Sequence, residues 1–196
     1  MDRFFTFWRK HIKIPAEAQA FMETHAQLKH YQKGEVFSAP DEARLYWCYI
    51  LDGLVGGIYY SEDGSMQIRW LATPNNYFTG TEHLFTKKPQ PLFIEFLRPT
   101  TLLLLPREIA LEGQRRYPAI SELFHILKQH HINRLRKQVA VFEHIDFYGR
   151  YQTFLAELPE LAFHTTKAQQ ASFLHISRGS FFRVQKQYLL STKKSR

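Results

Sequence analysis

Cysteine and long apolar runs are both scarce in this sequence. Cys48 is the single cysteine among 196 residues, so no intrachain disulfide can form. This composition fits a reducing compartment, and we expect Cys48, which sits in a strand-like run, to be a small buried residue. No apolar stretch reaches the length of a membrane span, and charged residues interrupt the N-terminal stretch where a signal peptide would have its apolar core. We therefore expect a cytoplasmic protein that makes no contact with a membrane.

The signatures of common enzyme chemistries are also missing. The sequence contains no Walker A loop, no GxSxG nucleophile motif and no GxGxxG dinucleotide fingerprint. It has ten histidines, but no two of them have the spacing of a zinc-protease helix, and no cupin-like HxH occurs. We interpret the histidines as surface or interface residues. We therefore expect a protein that is not an enzyme and that has no metal site and no cofactor.

Acidic residues are absent from the C-terminal part of the chain. The stretch from Leu161 to Arg196 holds seven Lys and Arg and no Asp or Glu, whereas the rest of the chain holds 19 basic and 18 acidic residues. The net charge of +8 is therefore concentrated in this stretch. Such a concentration is typical of a surface that neutralises nucleic-acid phosphates, and the alternative is a basic tail in solvent.

The same stretch has the pattern of two short helices joined by a turn. We predict a first helix from Lys167 to Leu174, with Thr165 or Thr166 as its N-cap. The second helix is predicted from Arg178 to Leu189, with Ser177 as its N-cap. The three residues from 175 to 177 would form the turn.

The second of these helices is amphipathic. Phe181, Val184 and Tyr188 recur at i, i+3 and i+7, which makes one apolar face. Arg183 and Lys186 fall roughly opposite them. A helix that packs by one face and presents basic side chains on the other suits the major groove of DNA.

The first half of the chain has the residue pattern of a β-domain. Apolar residues make up 44% of the sequence and aromatic residues 15%, enough for a packed core. Residues 2 to 26 are predicted to be helical, with Pro15 in a first helical turn, and residues 107 to 116 to form a short helix. The predicted strands between these regions are 46 to 51, 54 to 60, 66 to 71, 93 to 97 and 101 to 105. Several short strands separated by turn signals indicate an α+β protein with a sandwich or jelly-roll domain.

The order of these motifs resembles that of the Crp/Fnr family of bacterial transcription regulators. Ile176-Ser177-Arg178, followed by Arg183, is similar to the start of that family's recognition helix and to its base-contacting arginines. KGEVF at 33 to 37, ILDGLV at 50 to 55 and EDG at 62 to 64 are similar to motifs of its effector domain. The resemblance covers nearly the whole chain.

The resemblance implies a three-part chain. Its parts would be an effector-type β-roll of the jelly-roll type over residues 1–118, a long dimerisation helix over 119–147 and a helix-turn-helix domain over 148–196. It implies double-stranded DNA as a partner and allows RNA polymerase as a further one. The residues expected to face DNA are Ser177, Arg178, Ser180, Arg183 and Lys186.

Four positions of the helix-turn-helix depart from the family pattern. Gln170 stands where the family usually has an apolar residue, and His175 replaces the turn glycine, although His tolerates a left-handed backbone. Gly179 takes the place of a base-reading glutamate, and Phe182 that of a small residue. Because the chain ends soon after the second helix, we also expect the family's β-wing to be missing or short.

The long predicted helix carries an apolar stripe. The resemblance implies that this stripe forms the interface of a homodimer, because members of the family form such dimers. The residues of this stripe are Leu123, Leu127, Leu135, Val139 and Phe142. The alternative is that the stripe packs on the chain's own β-domain.

An effector loop is expected between residues 77 and 91. In cyclic-nucleotide-binding members this loop binds the ribose through its backbone and a glutamate, and an arginine pairs with the phosphate. The candidate pocket residues here are Gly80, Thr81, Glu82 and His83. Pro91 stands at the arginine position, and nearby lysines lack the planar fork that pairs with a phosphate. We therefore expect no binding of cyclic AMP, and an unknown small-molecule effector or none.

Two functions follow from these features. The first is a sequence-specific, DNA-binding transcription regulator of the Crp/Fnr type that does not respond to cyclic AMP. The second is a small-molecule-binding, cupin-like jelly roll whose basic C-terminus does not read DNA.

Overall fold

The computed structural model describes residues 1–194, which form helices flanking an antiparallel β-structure. In chain order the elements are α1 (Asp2–Trp8), α2 (Ala16–His25), β1 (Gln27–Tyr31), β2 (Val36–Ser38), β3 (Arg44–Asp52), β4 (Val55–Tyr60), β5 (Met66–Ala72), β6 (Tyr77–Gly80), β7 (Phe93–Phe96), β8 (Thr100–Pro106), α3 (Arg107–Arg116), α4 (Pro118–Glu143), α5 (Phe147–Glu157), α6 (Pro159–His164), α7 (Lys167–Phe173) and α8 (Arg178–Lys194). This is the α+β class that the sequence predicts.

The strands form two four-stranded sheets, in the orders β1-β8-β3-β6 and β2-β7-β4-β5. The pairs β1–β8, β3–β8, β3–β6 and β2–β7 are antiparallel. Two packed sheets that exchange consecutive strands in this way are the arrangement of a jelly roll. Gly53, in the turn between β3 and β4, has a φ of 106° and no room for a Cβ, which would lie 2.3 Å from Thr100 Oγ1.

Strand β3 is buried on both of its faces. Trp47 and Tyr49 belong to a core that includes side chains of α1, α2, α3 and the first half of α4. Cys48 and Ile50 alternate with them and are fully buried as well, because successive side chains of a strand point to opposite faces. Cys48 is a free, buried thiol, as predicted, and burial raises its pKa well above the ordinary value.

Several helix bounds differ from those predicted. The N-terminal helical region is two helices rather than one, and Pro15 is the N-cap of α2 rather than part of its first turn. Helix α4 ends at Glu143 instead of residue 147. A new helix already begins at Phe147 because Asp146 caps it, with its Oδ1 accepting the Gly149 N–H at 2.8 Å.

Packing divides the chain into two compact units. The first comprises Met1–Gly57 and Leu71–His131, and the second comprises Ile58–Trp70 together with the residues from Ile132 onward. The second unit therefore combines the helix-turn-helix with the tip of the β4–β5 hairpin. The three-part division predicted from the sequence stays a prediction. No helix within residues 1–194 is both long and apolar enough to cross a membrane.

Candidate nucleic-acid interface

Helix α7 begins with a capping box. The Thr166 hydroxyl accepts the backbone N–H of Gln169, and the Gln169 side chain accepts the N–H of Thr166. These two reciprocal bonds satisfy donors that a helix start would otherwise leave unpaired. Of the two predicted caps, Thr166 is therefore the one used.

The turn after α7 is a Schellman motif. The N–H of Ile176 donates to the carbonyl of Ala171 at 2.9 Å, and that of His175 donates to the carbonyl of Ser172 at 3.1 Å. His175 has a φ of 56°, the left-handed conformation that this motif requires and that glycine usually supplies. The histidine thus performs the backbone role of the glycine that it replaces.

Helix α8 starts at Arg178 and is capped by Ser177, as predicted. The Ser177 hydroxyl accepts the N–H of Ser180 at 3.2 Å. The Arg183 guanidinium donates through Nη2 to the Ser180 hydroxyl at 3.0 Å. The Ser177 hydroxyl therefore caps the start of α8, and the Ser180 hydroxyl orients Arg183.

The two faces of α8 have opposite character. Phe181 and Val184 are buried, whereas Arg178, Arg183 and Lys186 are exposed. Helix α5 covers the apolar face through Tyr151, whose ring lies 5.4 Å from that of Phe181 and 5.6 Å from that of Tyr188. The exposed face is consequently the basic one that the sequence predicts to meet DNA.

Arg150 of α5 braces the turn. Its guanidinium donates to the carbonyl of Leu174 at 3.0 Å and to that of His144 at 3.0 Å. The same guanidinium lies 5.5 Å from the centre of the Phe142 ring, which is 5.2 Å from the His175 ring. The position of α8 is thus set by polar contacts at the turn as well as by the apolar face.

His175 titrates below its ordinary range. Partial burial lowers the pKa of its imidazole, and the positive charges of Arg69 and Arg150 lower it further. Protonation would place a third positive charge near these two arginines. The turn of the helix-turn-helix therefore favours a neutral histidine.

A serine of α7 joins the helix-turn-helix to a strand in the same unit. The Ser172 hydroxyl accepts the N–H of Ile68 at 3.1 Å and donates to the carbonyl of Met66 at 2.8 Å. Both groups lie on β5, an edge strand of its sheet. One side chain thus satisfies a donor and an acceptor of an edge that has no further strand beside it.

Two residues beside the predicted surface were missed by the sequence analysis. Lys167 and the exposed Phe182 approach each other across α7 and α8, with the Lys167 Nζ 5.8 Å from the centre of the ring. They line a cleft of about 380 Å³ with Thr166, Ala168, Ala171, Arg178 and Phe181. The helical spacing places Phe182 away from Phe181 and Val184, which already indicates its exposure.

Solved structures show which architecture this is. FixK2 from Bradyrhizobium japonicum superposes with a TM-score of 0.70 at 17% identity, over 85% of this chain and 86% of that one. CLP, a c-di-GMP-responsive global regulator from Xanthomonas campestris, gives 0.66 at 16% identity, over 91% and 93%. A protein from Eubacterium rectale described as a transcriptional regulator of the Crp/Fnr family gives 0.67 at 14% identity, over 96% and 88%.

The chain has the Crp/Fnr fold. No protein-family model and no curated protein matches its sequence. The matched structures extend over both compact units, so the likeness includes the β-roll and the helix-turn-helix together.

The loop expected to hold an effector in the Crp/Fnr fold forms hydrogen bonds and an ion pair between its own residues. The Gln90 amide donates to the carbonyls of Thr79 and Thr81 at 2.9 and 3.1 Å. Glu82 is exposed, and its carboxylate forms an ion pair with Lys88 at 2.6 Å. The carboxylate that would bind a ribose therefore already has a cationic partner from its own loop.

The remaining residues of this loop are divided between interior and surface. Gly80 and Thr81 are buried, whereas His83 is exposed. Gly80 is packed so closely that a Cβ would lie 2.3 Å from the carbonyl oxygen of Arg44. The Thr81 hydroxyl is used locally, since it donates to the carbonyl of His83 at 2.9 Å.

The apolar stripe on α4 also divides into two parts. Leu123 and Leu127 are each 1% exposed and lie in the core of the first unit, so they were wrongly assigned to a dimer interface. Leu135 and Val139 are 43% and 58% exposed, and Phe142 is half-buried against the turn. The alternative of packing on the chain's own β-domain holds for the N-terminal half of α4. In the C-terminal half, Leu135 and Val139 stay exposed.

Among the described residues, no group of three or more His, Cys, Asp and Glu side chains is placed to hold a metal ion. Two of the three histidines of α4 make aromatic contacts. His130 stacks on Trp8 at 6.2 Å between ring centres, and His131 lies 6.0 Å from Tyr77.

Proposed function

We propose that this protein is a Crp/Fnr-family transcription regulator that binds double-stranded DNA as a homodimer, with α8 in the major groove. The observation that carries the proposal is the pair of opposite faces on α8. Phe181 and Val184 fix the helix in its unit, while Arg178, Arg183 and Lys186 stay in solvent. The expected DNA-facing residues Ser177 and Ser180 lie at the start of this helix.

Each basic residue has a distinct expected role. Arg178, in the first turn, would approach phosphates and base edges. Lys186 would contact a phosphate and add a salt-dependent free energy of binding. Arg183 is long enough to donate two hydrogen bonds to the edge of a guanine, and its bond to Ser180 limits its conformations before DNA arrives. RNA polymerase and a small-molecule effector remain further predicted partners.

Gel-shift titrations at several salt concentrations test the DNA proposal. Arg183→Ala should weaken binding by about 1–3 kcal/mol and relax the preference at one base pair in each half-site. Lys186→Ala should weaken binding to all sequences alike and lower the slope of log K against log salt by about one. If both variants bind their selected site as the wild type does, this face of α8 does not read DNA. If the wild type forms no sequence-selective complex, the small-molecule-binding jelly roll is the better description.

We further propose that cyclic AMP is not the effector. Pro91 occupies the place of the phosphate-binding arginine, and a buried phosphate without a cationic partner is costly. Glu82 is held by Lys88 at the surface. Calorimetry should therefore detect no binding of cyclic AMP at micromolar concentrations. A micromolar dissociation constant would contradict this proposal without affecting the proposal of DNA binding.

A further inference from the structure

We infer that Phe182 determines specificity by contacting the C5-methyl group of a thymine adjacent to the base read by Arg183. This inference rests on the proposed function, because it assigns a role within the same DNA-reading helix.

Phe182 lies on the outward face of α8. Gly179, Phe182, Arg183 and Lys186 follow the spacing i, i+3, i+4 and i+7, which places them along one side of a helix. The side chain is 54% exposed, whereas the neighbouring Phe181 is 1% exposed. A helix that points Arg183 at a base edge therefore points Phe182 at the same groove.

The ring is supported by Phe181, whose ring centre lies 6.3 Å away, and by Lys167. It borders the cleft between α7 and α8, and the Lys167 ammonium lies 5.8 Å from its centre. One turn earlier, Gly179 contributes no side chain, and a Cβ added there would meet no atom within 4 Å. Support from Lys167 and open space beside Gly179 leave the ring free to approach a base pair.

The chemistry of the major groove offers few partners to such a ring. Most groups on the base edges are hydrogen-bond donors or acceptors, and the thymine methyl is the apolar exception. Desolvating that methyl against an aromatic ring is favourable, whereas bringing the same ring to the exocyclic amine of cytosine would bury an unpaired donor. Because Phe182 and Arg183 are consecutive, the contacted thymine should neighbour the guanine read by Arg183.

Removing the methyl group alone tests this inference. The preferred site of the full-length protein would first be selected from random duplex DNA. Each thymine in it would then be replaced by deoxyuridine, which lacks only the C5-methyl. At one position per half-site, this replacement should lower the affinity of the wild type about fourfold, the effect of burying one methyl group. The same replacement should leave the affinity of Phe182→Ala unchanged.

Two further variants separate the specific contact from a general loss of apolar surface. Phe182→Leu should retain part of the methyl dependence, because it keeps an apolar side chain at the same place. Leu189→Ala is the matched control: Leu189 is 55% exposed on the same helix, two turns further on. It lies beyond the N-terminal part that contacts bases, so the variant should show the full methyl dependence of the wild type.

The outcomes distinguish this inference from the function on which it rests. Selective DNA binding with no thymine whose methyl effect depends on Phe182 would overturn the inference and leave the proposed function standing. Absence of selective DNA binding by the wild type would overturn both. Urea unfolding of each variant would establish that the exposed substitutions leave the fold intact.

Discussion

Gln170 shows how a polar residue can occupy a position where a related helix-turn-helix has an apolar one. It is almost fully buried, and its side-chain amide donates to the carbonyls of Ala162 and Thr165 at 2.9 and 3.3 Å. Both carbonyls lie near the end of α6, where helical partners run out. The glutamine therefore connects the end of one helix to the middle of another, and a leucine would leave these acceptors unpaired.

His175 combines a backbone role with a titratable one. Its left-handed conformation completes the turn, and its imidazole lies near the charges of Arg69 and Arg150. A glycine would supply the first property without the second. The substitution thus makes the stability of this turn depend on pH.

The stability of the folded protein should therefore change with the titration of His175. The folded protein holds the pKa of His175 below its ordinary value of 6.5, which the unfolded chain retains. Between the two values the unfolded state binds more protons, so stability increases with pH. The contribution should be fully present above about pH 6.5 and should be lost as the pH falls from there through the folded pKa. Urea midpoints measured from pH 7.5 to 5 should show this decrease.

His175→Asn is the informative variant, because asparagine also adopts positive φ readily but does not titrate. Its urea midpoint should fall less on acidification than that of the wild type. At pH 7.5 the two proteins should behave more alike than at pH 5. Equal decreases in both would show that His175 does not contribute to the pH dependence.

At the scale of the elements, Ser172 links α7 to the edge of a sheet. Its hydroxyl bonds both the N–H of Ile68 and the carbonyl of Met66, in the way that a neighbouring strand would. A second contact in the same unit comes from α4, where the Gln138 amide donates to the carbonyl of Arg69 at 3.3 Å. The tip of the hairpin therefore belongs to the packing of the helix-turn-helix unit.

Ser172→Ala should loosen this junction. The substitution leaves two backbone groups of β5 without their partner, and we expect a loss of about 1 kcal/mol in the free energy of unfolding. Hydrogen exchange of the Ile68 amide should accelerate, while amides of β8, which pair with two other strands, should be unaffected. Unchanged protection of Ile68 would mean that water replaces the hydroxyl at no cost.

The elements differ in how well the sequence predicts them. Strands β3, β4, β5, β7 and β8 were found because apolar runs end at turn dipeptides such as Asp52-Gly53. The strand Tyr77–Gly80 was missed, because its four residues were read as part of the effector loop. The end of α4 was placed too late, since the capping role of Asp146 is visible only once the Gly149 N–H is seen to reach its side chain.

The exposed face of α8 was easier to predict from the sequence than the burial of the apolar stripe on α4. The amphipathic pattern of α8 sufficed to place Arg183 and Lys186 outside and Phe181 inside. The pattern of α4 could not show what Leu123 and Leu127 contact. The same spacing of leucines is expected whether a helix packs on another chain or on its own domain. The burial of both leucines and the packing of Trp47 on Phe124, with ring centres 4.7 Å apart, show that this part of α4 faces inward.

Because Leu123 and Leu127 are buried within one chain, a second copy would have to contact the exposed, C-terminal half of the apolar stripe on α4. Ile132, Leu135 and Val139 follow the spacing i, i+3 and i+7, and they are 44%, 43% and 58% exposed. An apolar face of this spacing on a helix is the pattern that pairs with its own copy in a coiled coil. We therefore predict a homodimer formed along the C-terminal half of α4 rather than along its whole length.

Leu135→Arg combined with Val139→Arg should dissociate this dimer, because each arginine would place a charge in an apolar seam. Sedimentation equilibrium should give a dimer for the wild type and a monomer for the double variant. Both proteins should unfold cooperatively, since neither side chain is buried within one chain. Leu127→Ala is the contrasting variant: it should cost about 2–5 kcal/mol of stability by opening a cavity, yet leave the folded protein dimeric.

The dimer also determines how DNA should be read. Two copies of α8 related by a two-fold axis would contact half-sites about 34 Å apart, one helical turn, in an approximate palindrome. The double variant should therefore lose far more affinity for the full palindrome than for a single half-site. Five base pairs inserted between the half-sites should weaken wild-type binding to nearly the half-site level, because they turn one half-site to the opposite side of the duplex. A wild-type protein that stays monomeric at every concentration, and that binds full and half-sites equally, would contradict the dimer.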